Sequence, residues 1–241
     1  MKALIFAAGL GTRLRPLTNN LPKALVLLSG KPLLEHVITK LQKEGINDFV
    51  INVHHFADKI TDFLKKNNNF GANILISDET DMILETGGGL KKASKFFSQN
   101  EDFIVYNVDI FSDINIKQLT DFHRNNNSLA TLVMQKRQSN RRLVFDENNY
   151  LCSWENIATG EIKQARNPKG NTKSLAFCGI HIINSKIFNL ISETGKFSII
   201  DVYLRLAKDY KISSFEYDFS YWFDLGKPKN LEECSKLMNN G

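Results

Sequence analysis

The sequence predicts an α/β fold: a doubly wound, mixed but mainly parallel sheet with helices on both sides, a three-layer α/β/α arrangement. Three observations predict it. Residues 1–78 alternate short apolar runs with amphipathic stretches in the order β-α-β-α-β, the order that builds a parallel sheet. The runs, such as Leu4-Ile5-Phe6 and Phe49-Val50-Ile51, are too short for helices and read as buried strands. The first run opens straight into a glycine-rich turn, Ala8-Gly9-Leu10-Gly11, and ligands in such sheets sit where strand C-termini and their loops converge.

Taken in order, Lys2 to Ala7 reads as the first strand. Leu33, Leu34, Val37, Ile38 and Leu41 form a helical stripe behind Pro32, which suits a first turn, and Gly45 stops it. Phe49 to Val53 is the second strand, Ala57 to Lys66 a helix with Ile60, Phe63 and Leu64 inward, and Ala72 to Ser77 the third strand. Residues 78–88 read as an irregular loop, acidic and then glycine-rich, before a helix through Leu90, Ala93, Phe96 and Phe97. Phe103 to Asp109 is a strand that ends in a carboxylate. Ile116 to Asn125 is a helix, Leu129 to Gln135 a strand, and Arg142 to Asp146 with Tyr150 to Trp154 a hairpin. Glu155 to Ser174 has no periodicity and reads as a flap. Ala176 to Asn184 is a strand, and Lys186 to Ser192 and Ile199 to Asp209 are helices around Gly195. Ile212 to Tyr217 and Tyr221 to Asp224 are short strands, and Pro228 to Met238 is a closing helix. With no repeat and no break in composition, residues 1–241 read as a single domain.

The bulk numbers exclude several classes of function. At 241 residues, 42% hydrophobic and 24% charged, the chain has the composition of a soluble globular protein with a sizeable core. Its net charge of +5 comes from 31 Lys and Arg scattered among 26 Asp and Glu, which argues against a nucleic-acid partner. Cys152, Cys178 and Cys234 are odd in number and far apart, so they read as reduced thiols in a cytoplasmic setting. The N-terminal run lacks the pattern of a signal peptide, and no run of 18 apolar residues would span a membrane. His36, His54, His55, His123 and His181 fall at no zinc-ligand spacing, and no Ser or Cys sits in a nucleophile elbow.

What remains is phosphate chemistry. Ala7 closes the first strand and Ala8, Gly9, Gly11 and Thr12 follow it with little side-chain bulk, so their amides can be aimed at a bound group, and aimed amides favour anions. Arg13, Arg15 and Lys23 follow within a few residues; the guanidinium of Arg13 forks onto phosphate oxygens and Lys23 is a point charge. The spacing is neither a Walker loop nor G-x-G-x-x-G. The reading is a triphosphate cradle. Asp109, at a strand end, and Asp224, in Trp222-Phe223-Asp224-Leu225-Gly226, form a carboxylate pair of the kind that holds Mg²⁺ with phosphate oxygens and water. Either aspartate alone reads equally well as a cap or turn residue.

The string from Ala8 through Thr18, Ala-Gly-Leu-Gly-Thr-Arg-Leu-Arg-Pro-Leu-Thr, with Pro22-Lys23 after it, resembles the signature of the sugar-1-phosphate nucleotidyltransferases. The resemblance runs through nearly the whole chain, including Leu84 to Gly89, 103–113, Phe177 to Phe188, Gly195-Lys196-Phe197 and 221–231. It implies the Rossmann-like nucleotide-diphospho-sugar transferase fold, with Mg²⁺ held at Asp109 and Asp224. It also implies nucleotide contacts at Thr86, Gly87 and Gly88, in a loop facing base and ribose, and makes Asn107 a candidate sugar contact. Leu84-Glu85-Thr86-Gly87-Gly88-Gly89 is most similar to the subgroup of N-acetylmuramate-1-phosphate uridylyltransferase and small mannose-1-phosphate guanylyltransferase-like enzymes. Two features depart from the family: Val108 stands where glycine is usual, and no Glu-Lys-Pro segment lies between Glu155 and Leu175. The chain ends soon after its closing helix, so the expectation includes no C-terminal left-handed β-helix.

The implied reaction is attack of a sugar 1-phosphate oxygen on the α-phosphorus of a nucleoside triphosphate, with pyrophosphate leaving. Arg13 would hold the departing phosphates and Lys23 would neutralise the α-phosphate or the incoming one. The expected transfers are uridylyl to an amino-sugar 1-phosphate such as N-acetylmuramate 1-phosphate, or guanylyl to mannose 1-phosphate. The alternatives are a phosphocholine cytidylyltransferase and a silent nucleotide-binding regulator. The expected partners are the two small substrates, with no membrane, in a monomer or small homo-oligomer.

Overall fold

The alternation of strands and helices predicted for residues 1–78 is present in a computed structural model that describes residues 1–239. Asn240 and Gly241, the end of the expected single domain, lie outside the described residues. In chain order the strands are β1 (Lys2–Phe6), β2 (Leu27–Leu28), β3 (Lys31–Pro32), β4 (Asp48–Val53), β5 (Asn73–Asp78), β6 (Asp102–Asn107) and β7 (Ile110–Ser112). After them come β8 (Ala130–Gln135), β9 (Arg141–Phe145), β10 (Leu151–Asn156), β11 (Glu161–Gln164), β12 (Lys173–Asn184), β13 (Ile212–Glu216) and β14 (Trp222–Asp224). The helices are α1 (Leu33–Lys43), α2 (Ala57–Lys66), α3 (Glu85–Ala93), α4 (Ile116–Asn125), α5 (Ile199–Leu206) and α6 (Pro228–Asn239). The chain packs as two compact units, one of Met1–Ile83, Val105–Ile114 and Phe219–Gly241, the other of Leu84–Ile104 and Asn115–Asp218.

The first unit is the predicted parallel sheet, in the order β6-β1-β4-β5, with β6 contributing its C-terminal half. β1 pairs β4 in parallel from Ala3↔Phe49 to Phe6↔Asn52, and β4 pairs β5 from Asp48↔Asn73 to Val53↔Asp78. Leu4, Ile5, Val50 and Ile51 are fully buried, as are Leu34, Ile38 and Leu41 of α1. That helix ends where expected: Gly45 takes φ 80°, and the amides of Gly45 and Ile46 return to Gln42 and Leu41. The strand predicted through Asp109 is shorter. β6 stops at Asn107, Val108 and Asp109 make a turn, and β7 pairs antiparallel with β14, setting Asp224 opposite Ile110.

The second unit holds most of the antiparallel pairing. β9, β10 and β11 form a meander, β12 pairs β9 and β8 antiparallel, and β13 joins β8 in parallel. The segment Glu155 to Ser174, expected as a flap without structure, supplies β11 and the start of β12. All four residues of β11 are exposed, so the strand has no buried face to impose an alternation on its sequence. Likewise the helix expected at Lys186 to Ser192 is a 3-10 turn over Ser185–Asn189, and α5 ends at Leu206, not Asp209.

Residues 85–88, expected as loop, form the first turn of α3. Three glycines oppose a helix by propensity; packing overrides them. The segment after Gly195 runs so close that a Cβ on Gly88 would lie 2.4 Å from the Gly195 carbonyl oxygen, and one on Gly87 2.4 Å from the Phe197 ring. The amides of Gly87 and Gly88 both donate to the Phe197 carbonyl, at 2.9 and 3.4 Å. Deeper in this unit, burial pushes His181 down to about 3, and its Nδ1 lies in a hydrogen bond 2.7 Å from the Tyr203 hydroxyl oxygen.

Two outcomes are expected. Gly88→Ala should lose about 1–3 kcal/mol in urea unfolding, the usual cost of forcing a methyl into a packed interior; an unchanged midpoint would contradict the close approach. His181 stays neutral in the fold while the unfolded chain takes up a proton below about 6.5. Stability should therefore fall as pH drops below that value, by at most about 1.4 kcal/mol per pH unit from this residue. Denaturant titrations at pH 7.5 and 5 should show a smaller difference in His181→Gln.

Candidate active site

The first unit provides the place and the residues for one site. β1 lies between β4 on one side and β6 on the other, so the connections from β1 and β6 leave in opposite directions and open a crevice at their C-terminal ends. Into it come the loop after β1, the turn after β6 and the strand β14.

The loop after β1 has two parts. The amides of Ala7 and Ala8 donate to Oδ1 of Asn52, at 2.6 and 3.2 Å, so these two residues shape the turn and the open amides begin at Gly9. From Gly9 to Arg13 the amides have no acceptor among the described residues. Gly11 takes φ 64°, and a Cβ there would sit 3.0 Å from both the Lys23 and Thr18 side chains, while the Thr18 hydroxyl donates to the Gly11 carbonyl at 2.8 Å. Thr12 and Arg13 begin a 3-10 turn.

Four charges meet beside this loop. Asp109, 6% exposed, accepts from Lys23 Nζ at 2.8 Å. Arg13 stands 3.7 Å from Asp224 with most of its side chain in solvent, a pair worth little by itself. Gly226 lies between them: a Cβ there would be 2.9 Å from Asp109 Oδ2, 2.9 Å from Asp224 Oδ1 and 2.6 Å from an Arg13 terminal nitrogen. The backbone locks this arrangement, with Leu225 N donating to the Asp109 carbonyl at 2.8 Å and Asn230 Nδ2 to the Asp224 carbonyl at 2.8 Å. Two carboxylates converging on a space that only glycine leaves open, each already facing a cation, suit a hydrated divalent ion as well as the cations they now hold.

Of the residues expected from sequence, Gly9, Gly11, Thr12, Arg13, Lys23, Asp109 and Asp224 belong to this crevice. Asn107 is half-buried at the end of β6 with no side-chain hydrogen bond among the described residues. Val108 is buried and its amide donates to the Phe6 carbonyl at 3.2 Å, so its side chain is taken up by the core. Thr86, Gly87 and Gly88 belong to the second unit, where Thr86 Oγ1 accepts from the Ile199 amide at 3.1 Å. Sequence reasoning missed Asn52 and Gly226. For Asn52 a signal existed, a polar residue inside the apolar run Phe49 to Val53; for Gly226 the signal was its place in the 221–231 segment that carries the resemblance, which gave it no role of its own.

The family model described as Nucleotidyl transferase matches residues 2–241. The mannose-1-phosphate guanyltransferase of Yarrowia lipolytica is 33% identical over 234 residues, covering 96% of this chain and 62% of that protein. The mannose-1-phosphate guanyltransferase of Saccharomyces cerevisiae is 31% identical over 244 residues, covering 100% of this chain and 65% of that protein. The chain thus spans less than two thirds of the length of these curated relatives. The crystal structure of HddC from Yersinia pseudotuberculosis complexed with GMP-PN is similar in fold, with a TM-score of 0.76 at 23% identity over 98% of this chain and 99% of that one. A signature loop, a facing pair of aspartates and a family match from the second residue to the last agree: the chain belongs to the nucleotidyl transferase family.

Proposed function

We propose that the chain transfers a nucleoside monophosphate from a nucleoside triphosphate to a sugar 1-phosphate, releasing pyrophosphate. The observation that carries this reading is the convergence of Asp109 and Asp224 over Gly226, faced by Lys23 and Arg13 at the mouth of a loop with open amides. Phosphoryl transfers of this kind need positioning and charge neutralisation, and no covalent nucleophile from the protein. A sugar 1-phosphate oxygen is already anionic at neutral pH and needs no base. Its bond to the α-phosphorus forms as the bond from the α-phosphorus to the α,β-bridging oxygen breaks, and that oxygen leaves as a terminal oxygen of pyrophosphate.

Each residue then has a part. The amides from Gly9 to Arg13 receive the triphosphate, with Ala7 and Ala8 shaping the turn that presents them. Arg13, long and mostly in solvent, holds the departing β- and γ-phosphates. Lys23 exchanges the Asp109 carboxylate for a phosphate oxygen at the reacting centre. Asp109 and Asp224 would hold Mg²⁺, which when bound neutralises the phosphate charges. Asn107 is proposed to meet the sugar. For base and ribose the proposal keeps Thr86, Gly87 and Gly88 on the resemblance alone. Guanylyl transfer to mannose 1-phosphate is the favoured pair, supported by the activity named for the relatives in yeasts.

The test is pyrophosphate release with Mg²⁺, crossing GTP, UTP, CTP and ATP with mannose 1-phosphate, N-acetylmuramate 1-phosphate, N-acetylglucosamine 1-phosphate, glucose 1-phosphate and phosphocholine. Release that requires one triphosphate and one sugar phosphate is expected. Release with phosphocholine alone would make it a cytidylyltransferase of another class, and silence with triphosphate binding retained would make it a binding protein. In the active pair, Asp109→Asn and Arg13→Gln should each lose about 10²-fold or more in turnover. Asp109→Asn at wild-type turnover would remove the metal assignment.

A further inference from the structure

The amides of Ala7 and Ala8 are adjacent in sequence, yet both point at one oxygen, Asn52 Oδ1, at 2.6 and 3.2 Å. Successive amides of an extended strand point to opposite sides, so the backbone must bend here for two neighbours to share an acceptor. The parallel pairing of β1 with β4 ends at the same level, at Phe6↔Asn52. The side chain of the last paired residue on β4 thus supplies an acceptor where the ladder gives out. It turns the chain from strand into loop.

Asn52 is itself held. It is 3% exposed, and its Nδ2 donates to Glu79 Oε1 at 2.8 Å. Two amide donors on one side require the carbonyl oxygen, and a carboxylate on the other requires the NH₂, so the chemistry permits only one orientation of this amide. Glu79, 1% exposed, follows β5 directly and is fixed through its backbone: its amide donates to the Val53 carbonyl at 2.8 Å, and its carbonyl lies 2.6 Å from His54 Nδ1. A chain of hydrogen bonds therefore runs across the C-terminal ends of three neighbouring parallel strands, from β5 through β4 to β1, and ends on the loop whose remaining amides are open.

We propose that Asn52 and Glu79 are positioning residues for triphosphate binding: the Glu79–Asn52–Ala7/Ala8 relay sets the bend that aims the amides of Gly9 to Arg13. Neither side chain touches the substrates. The inference rests on the proposed reaction for its catalytic consequence, but triphosphate affinity tests it independently. Loss of Oδ1 leaves two amides without their acceptor and the loop free to leave its bend, and a displacement of about 1 Å at a reacting group is enough to cost about 10²-fold.

The experiment measures GTP and UTP affinity by calorimetry, and kcat and KM for both substrates, in Asn52→Ala, Asn52→Asp and N52D/E79Q, with thermal midpoints for each. Asn52→Ala should weaken triphosphate binding about 10–100-fold, the range typical of residues that orient a binding group from behind, and leave KM for the sugar phosphate within about two-fold. Asn52→Asp keeps the acceptor for Ala7 and Ala8 but turns a second carboxylate on Glu79, and should bind triphosphate as poorly as the alanine variant. N52D/E79Q reverses the polarity of the inner bond, since a glutamine can donate where the asparagine did, and should recover to within about three-fold of the unaltered chain. A merely structural role would move the thermal midpoint and both KM values together, with no selective rescue. Asn52→Ala with unaltered triphosphate affinity, or a double variant no better than Asn52→Asp, would overturn the proposal; if the alanine variant does not fold, that last comparison decides. An unaltered chain that binds triphosphate but releases no pyrophosphate removes the proposed reaction and leaves the relay standing if the affinities follow the pattern above.

Discussion

A carboxylate buried at the end of an apolar strand has to be paired, and the crevice follows from how this is done. Asp109 comes after the run Phe103 to Tyr106, every residue of which is fully buried. An ion there without a partner would be strongly unfavourable. Its partner, Lys23, arrives from the other side of the crevice at the end of the loop after β1. Meeting that demand brings residues far apart in sequence to one place, and Gly226 admits the second carboxylate because it has no side chain to stand between them. Open amides, two cations and two carboxylates thus gather at a point where the direction of the sheet's connections reverses.

The two units use glycine differently, and the difference bears on function. In the first, Gly11 needs a left-handed backbone and Gly226 leaves room for charged groups. In the second, Gly87 and Gly88 let a neighbouring segment of chain lie against α3, and their amides are spent on the Phe197 carbonyl. A run of glycines near an expected nucleotide contact reads, from sequence, like a loop that wraps a ligand. Here the close approach is made by the protein's own backbone.

The sequence by itself determined much of the order of elements and most of the residues that gather in the crevice. Buried parallel strands are nearly continuous apolar runs, so β1 and β4 declare themselves, and a loop that must offer bare amides and cations has few alternatives in residue type. Strands without a buried face, such as β11, carry no such mark, and the helical state of Glu85 to Ala93 runs against the propensity of its glycines. Only the tertiary structure decided which polar groups meet. That Asn52 holds the bend after β1, that Glu79 holds Asn52, and that Gly226 lies between Asp109 and Asp224 depend on strands adjacent in space and distant in the chain. The physical reason is that burial and periodicity are local properties of a segment, whereas a hydrogen bond or a contact that excludes a Cβ is a property of two segments and of the register between them.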